Sequence, residues 1–337
     1  MNQLSEGAPQ PDVQVRRTGK RKSALARLLA QREVGTLGAV LAACLFLTIT
    51  SGNFLNPANL NALVLGLSFN AIVAVGMTIL MVSGGFDMSV GSTLAVAGAV
   101  AGTALAKWDT SVPVAILAGL GSGALMGLVN GLIIAEIGVN PLIATLGMMQ
   151  IGRGIVLLLT SGYGIPNLPD SFTVLAQGKF LGVQFPVWIM LVFIIVGDVL
   201  LRRWRFFRQS YFVGGNERSA RLSGIRVRQV KIWNYVITAL MASVAGILLA
   251  ARFGSASVSA GVGVELQVIA AVIIGGASLA GGEGTVLGAL FGVTLMALIS
   301  NGLNLLGVNV YWQTIVIGAV LIIAVAADAF GRRNDAT

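Results

Sequence analysis

The 337-residue sequence has no histidine and one cysteine, Cys44. Imidazole is the side chain that titrates nearest neutral pH, and zinc, haem and iron–sulfur sites draw on histidine and cysteine. A general acid–base site and a metal centre are therefore both poorly supplied, and Cys44 has no intrachain disulfide partner. No Gly-x-x-x-x-Gly-Lys-Ser/Thr occurs, so the chain lacks the loop that cradles nucleotide phosphates. Charge is scarce as well, at 10% of residues. The acids Glu136, Asp198, Glu265, Glu283 and Asp328 fall at the edges of apolar segments, and only Arg153 lies clearly within one. Ion-coupled carriers keep ionisable groups inside their spans. An enzyme is poorly supported by this composition, and so is a self-energised pump.

What the chain does contain is apolar length. Hydrophobic residues make up 56%, mean hydropathy is +0.87, and glycine occurs 44 times. Residues 34–86 and 284–327 run for 53 and 44 positions without Asp, Glu, Lys or Arg. Crossing the hydrocarbon core takes about 20 residues of helix, so each run accommodates two spans. The reading is an all-α polytopic membrane protein with about ten transmembrane helices, at 34–50, 60–82, 90–106, 112–134, 141–160, 186–201, 232–250, 266–282, 284–306 and 311–328. A basic cytoplasmic tail, 1–33, precedes a transmembrane domain, 34–328, and a short cytoplasmic tail, 329–337, follows it. The first 33 residues lack a small-residue cleavage signature and read as a tail, not a signal peptide.

Charge orients the domain. Seven basic residues in 1–33, nine in 202–231 and two after 328 account for 18 of the 22 Lys and Arg. Basic segments stay on the cytoplasmic side, so both termini and the 202–231 loop are expected there. The net charge of +9 then reports orientation and not nucleic-acid binding. Gly119, Gly123, Gly127 and Gly131 recur every fourth residue, as do Gly284, Gly288 and Gly292, and such rows let neighbouring backbones approach. A fainter echo links 81–98 with 272–289, both apolar around a Gly-Gly pair, as in transporters built from repeats.

Several polar residues stand out inside this apolar chain. Arg153 either ties two helices together or lines a polar path, with Gln150 on the same helical face. Asn70, Asn130, Asn301 and Asn304 place amides in apolar runs, where they serve a hydroxylated solute or bond helix to helix. The stretch 83–92, "SGGFDMSVGS", carries Phe86 and two potential caps, Asp87 and Ser89. It reads as a cytoplasmic turn or as a helix break lining the path. In the basic loop, Asn216 is a good N-cap, Glu217 suits a helix N-terminus, and Gly224 suits a left-handed C-terminal position. Arg218 and Arg221 share a face of this short helix, and Leu222 and Ile225 offer apolar contacts. A two-turn helix needs external support, from anionic lipid head groups or from a cytoplasmic partner.

Three motifs in order carry a resemblance: "GGFDMSVGS" (84–92), "GGNERSARLSGI" (214–225) and "IIGGASLAGGEGTVLGAL" (273–290). The sequence resembles, over roughly 40–328, the permease subunits of bacterial ATP-binding-cassette importers of the ribose/xylose/galactoside group. The resemblance implies a bacterial inner-membrane, multi-pass subunit that moves a sugar or sugar-like solute by alternating access. It implies no cofactor in this chain, with ATP and Mg held by a separate ATPase. The expected partners are that ATPase, a second permease chain (identical or a sister), a periplasmic solute-binding protein and the bilayer. Residues 214–225 would be the coupling helix, with Asn216, Glu217, Arg218, Ala220, Arg221, Leu222, Gly224 and Ile225 at or near the ATPase. Arg218 and Ser219 depart from the commoner Glu-Ala, which implies a different pairing charge on the partner. An ion-coupled secondary carrier or channel for a small polar solute is the alternative reading.

Overall fold

The computed structural model describes residues 32–335. Most of the predicted basic tail therefore lies outside the described residues. Thirteen α-helices are present among those described: α1 Arg32–Thr50, α2 Pro57–Val82, α3 Val90–Ala106, α4 Val112–Leu132, α5 Pro141–Thr160, α6 Asp170–Gln177, α7 Phe185–Arg203, α8 Arg205–Gly215, α9 Glu217–Leu222, α10 Val227–Phe253, α11 Val264–Ile274, α12 Val286–Leu305 and α13 Val310–Asp335. A π-helical turn, Ile133–Ile137, ends α4 at Gly138, whose φ is +84°. Two short strands, β1 Lys179–Phe180 and β2 Val183–Gln184, form a hairpin between α6 and α7.

Among the described residues, eight helices are long and apolar enough to cross a membrane, and α3 and α11 are shorter apolar helices. The chain is an all-α polytopic membrane protein. Starts follow local chemistry: Asn56 and Asn140 accept backbone N–H bonds from Ala58 and Leu142, and a proline occupies the first turn of α2, α4, α5 and α7. Proline lacks an N–H that the first turn would leave unpaired anyway.

One expected span is overturned in part. Residues 266–282 do not form one helix; α11 stops at Ile274 after 11 residues. That is about 16 Å of rise, roughly half of what a crossing needs. Residues 275–285 form a loop in which Gly276, Gly281, Gly282 and Gly284 all take positive φ. Asp198 and Asp328 lie in the last two turns of the candidate spans Phe185–Arg203 and Val310–Phe330, near the edges where the sequence placed them. The expected C-terminal tail continues α13 as far as Asp335.

The bundle is centred on α2 and α10. The most apolar stretch of α2 is 72% buried and that of α13 only 6%, so the second half of α2, from Ala71 to Val82, is enclosed while α13 lies at the rim. Glycine sets the closest approaches. A Cβ at Gly127 would lie 2.6 Å from the Ala239 Cβ and 2.7 Å from the Tyr235 carbonyl, and one at Gly131 2.8 Å from the Ile232 Cα. The Gly119–Gly131 row is thus the face of α4 that rests on α10. In the second row, Gly288 and Gly292 meet Gly275 and Ala271 backbone to backbone, closing α12 onto α11. Without a hydrophobic force between spans, such contact and its dispersion energy hold the bundle.

The ends of the bundle differ. At one end Arg228 reaches Glu136 at 2.8 Å, beside the basic 202–231 segment. At the other, 161–169 crosses the loop after α10, with Ile165 bridging Ala256 and Leu168 N–H donating to the Gly254 carbonyl at 2.9 Å.

Candidate solute path and docking helix

The nine residues singled out as a path fall into three places. Asn70, Asn301 and Asn304 line one cavity of about 510 Å³ between α2, α11, α12 and α13, towards the end opposite the basic loop. The Asn70 amide faces the Gln267 carbonyl oxygen at 3.4 Å. Asn301 and Asn59 exchange bonds of 2.7 and 3.2 Å, and Gln313 donates to Asn304 at 2.7 Å. Ser300 and Thr314 add hydroxyls, while Leu63, Met296 and Ile317 supply apolar wall. Amides that bond each other still hold a spare donor or acceptor. A cavity of alternating amide and aliphatic surface can meet the hydroxyl rim and C–H faces of a small sugar. Asn59, Gln267 and Gln313 were missed in the sequence because they lie near helix starts; the available signal was an amide one or two turns from a break.

Phe86, Asp87, Ser89 and Asn130 sit elsewhere, around the start of α3. Asp87 Oδ1 accepts the Ser89 backbone N–H at 2.7 Å and the Ser89 hydroxyl at 2.6 Å, and the Asn130 amide donates to Ser89 Oγ at 3.0 Å. Asp87, Ser89 and Asn130 are fully buried, and the half-buried Phe86 offers its carbonyl to Tyr235 Oη at 3.1 Å. This group closes a turn and bonds α3 to α4 and α10. It does not line the amide cavity.

The third place is α5. Arg153 Nη1 donates to the Ala260 carbonyl at 2.6 Å, tying α5 to the loop after α10, and Gln150 is exposed. Ala260 lines a second cavity of about 530 Å³, walled by Gly98, Gly246, Phe253 and Ser257. Arg153 thus acts as a tie at that cavity's edge. Glu265, placed by sequence at a span edge, is only 9% exposed in the first turn of α11.

The basic segment folds as two short helices. The Asn216 side chain accepts the Ser219 N–H at 2.9 Å and caps α9. Gly224 takes φ +80° just past its end, where the Ile225 N–H donates to the Ala220 carbonyl at 3.1 Å. A left-handed glycine of this kind closes a helix end. Glu217 accepts from Arg221 at 3.0 Å and from Lys231 of α10 at 2.6 Å. That Lys231 bond, more than the nearby charge, holds the Glu217 carboxyl below its ordinary range.

Exposure sorts the eight expected docking residues. Asn216, Arg218, Arg221, Leu222 and Gly224 are exposed, Leu222 by 84%. Ala220 instead packs inward on Val213, Val227 and Val230, and Ile225 packs against the same cluster. Ala220 is therefore an anchor for α9 and not part of its outer face. An exposed leucine beside two exposed arginines, on a helix pinned from below, is a preformed knob.

A bundle of this construction, with broken helices and a rigid knob at its basic end, is that of a membrane permease. The chain belongs to the family described as branched-chain amino acid transport system / permease component, whose model matches residues 59–325. It is 42% identical over 315 residues to the ribose import permease of Escherichia coli strain K12, covering 92% of this chain and 97% of that one. The Bacillus subtilis ribose import permease is 39% identical over 287 residues, 84% and 88% of the two chains. An L-arabinose permease of Azospirillum brasilense is 35% identical over 328 residues, 97% and 95%. No solved structure matches the chain.

Proposed function

We propose that this chain is the membrane permease subunit of an ATP-binding-cassette importer for a pentose or similar sugar, in the inner membrane of a bacterium. A separate ATPase, holding ATP and Mg, grips α9. A second permease chain completes the path, and a periplasmic binding protein delivers the sugar. The observation that carries this reading is the pinned knob: α9 is six residues long, too short to persist unaided, yet it is capped at both ends and bonded to α10. A helix held this firmly with its polar and apolar residues outward is built to be pushed. ATP closes the ATPase dimer, draws the knobs together and alternately exposes the amide cavity. Only a difference in ATP affinity between the two states can drive that shift.

The test is uptake of labelled D-ribose and L-arabinose into liposomes. The chain with its ATPase and binding protein is expected to accumulate sugar only with ATP and Mg. The purified chain alone is expected not to concentrate it. Accumulation by the isolated chain along an ion gradient would establish the secondary-carrier reading instead. Within the path, Gln267→Leu and Asn70→Leu should each lower uptake about fivefold or more, as loss of a buried polar contact to a hydroxyl costs about 1–3 kcal/mol, with the complex still assembled.

A further inference from the structure

We propose that Gly214 is the joint that carries movement of the docking helix to the amide cavity, an inference that rests on the ATPase-driven reading above. Three glycine pairs from distant parts of the chain meet at the basic end of the bundle: Gly84–Gly85 after α2, Gly214–Gly215 closing α8, and Gly281–Gly282 between α11 and α12. The contact is backbone on backbone. A Cβ at Gly214 would lie 2.6 Å from the Gly282 N and closer still to the Val82 carbonyl. A Cβ at Gly281 would lie 2.8 Å from the Gly214 Cα and from the Gly84 Cα. Gly282 N–H donates to the Val82 carbonyl at 2.8 Å, joining the 275–285 loop directly to the end of α2.

Neighbouring bonds lock α8 into this joint. Tyr211 Oη donates to the Gly284 carbonyl at 2.7 Å, and the Asn234 amide donates to Ser210 Oγ at 3.0 Å. On its other side α8 runs straight into α9 through Asn216, and Val213 shares a buried cluster with Ala220. A push on Leu222 or Arg221 therefore arrives at Gly214 through one short rigid unit.

What lies beyond the joint gives it meaning. Val82 is the last residue of α2, which carries Asn70. The 275–285 loop links α11, which carries Gln267, to α12, which carries Asn301 and Asn304. Three of the four helices lining the amide cavity thus end in, or hang from, the glycine contact. Long side chains meeting at the joint would absorb displacement by changing rotamer, and even a lone Cβ at Gly214 would force these backbones apart. Bare backbone has no such slack, and close-packed contacts pass strain onward.

Gly215 provides the internal control, since a Cβ there meets nothing within 4 Å. In the reconstituted complex, Gly214→Ala is expected to retain the ATPase on purification while D-ribose or L-arabinose uptake falls about tenfold, within the range of a typical coupling between sites. Gly215→Ala should transport as the unaltered complex does. Tyr211→Phe, which removes a bond and adds no bulk, should lower sugar moved per ATP by about threefold, the scale of one neutral hydrogen bond. Undiminished uptake by Gly214→Ala overturns the proposal. If Gly214→Ala does not assemble, the Tyr211→Phe stoichiometry decides alone, and an unchanged ratio overturns it. A complex with the unaltered chain that shows no ATP-dependent uptake overturns the importer reading first, and this inference falls with it.

Discussion

Glu217 and Lys231 are fourteen positions apart, and their 2.6 Å contact sets the pose of α9. Neither residue alone announces this in the sequence. The Asn216 cap and the Gly224 stop are local chemistry and were legible, whereas the lock needs the turn at 223–226 to bring α10 back under α9. Because the Glu217 carboxyl is depressed below its ordinary value of 4.5, the lock contributes fully above that value. It is lost only as pH falls through the lower folded value. Uptake between about pH 6 and 8 should therefore show no titration from Glu217. The pair is partly exposed, with side chains 26% and 43% accessible, and such pairs contribute about 0.2–1 kcal/mol. Lys231→Met is thus expected to weaken ATPase retention by a few-fold at most, more visibly at low salt. Added to Glu217→Gln it should cost little further, because each change removes the same bond. Retention titrated against salt for the two single variants and the double variant checks this, and full additivity would mean that the pair does not act as a unit.

At the scale of elements, the glycine row on α4 was readable as a packing face, and the structure supplies its partner. Gly127→Ala should force α4 away from the Tyr235–Ala239 stretch of α10, at about 1–3 kcal/mol for overpacking. Gly121 has nothing within 4 Å of a Cβ, so Gly121→Ala should cost nothing and gain up to about 1 kcal/mol from helix propensity. Thermal unfolding of both variants in detergent would separate them, and equal midpoints would show that the row is not a contact face. The long uncharged runs located the helices well because bilayer thickness demands length and apolarity. The 266–282 expectation failed where those two demands part company. Residues 275–285 remain weakly charged and small, but glycines with positive φ can pack backbone into protein without being helical. Candidate path residues divide for a related reason. An amide or carboxyl in an apolar run must be bonded, and the sequence does not say to what. Asn70, Asn301 and Asn304 face a cavity, while Asp87, Ser89 and Asn130 spend their bonds on a turn.

For the molecule as a whole, sidedness is the property on which the function depends. Helices α1–α5, α7 and α10–α13 alternate in direction, which puts the 83–89, 138–140, 204–226 and 275–285 connections at one end. The glycine contact and the Arg228–Glu136 pair are found at that same end. Eighteen of 22 basic residues belong to segments on that side or to the termini. Translocating such segments is opposed, and anionic inner-leaflet lipids attract each Lys or Arg by about 1 kcal/mol. Under the proposed reading the knob is expected to face the cytoplasm, and the 161–184 segment, with Tyr163 at 96% exposure, to face outward. Replacing Cys44 by serine clears the chain of thiols for a direct measurement. On that background, Tyr163→Cys should react with a membrane-impermeant maleimide in intact cells. Ser219→Cys, on the exposed knob, should react only after lysis, and co-expressed ATPase should then slow its labelling. Reaction of Ser219→Cys in intact cells would invert the bundle, leaving the knob where no ATP-driven partner could reach it.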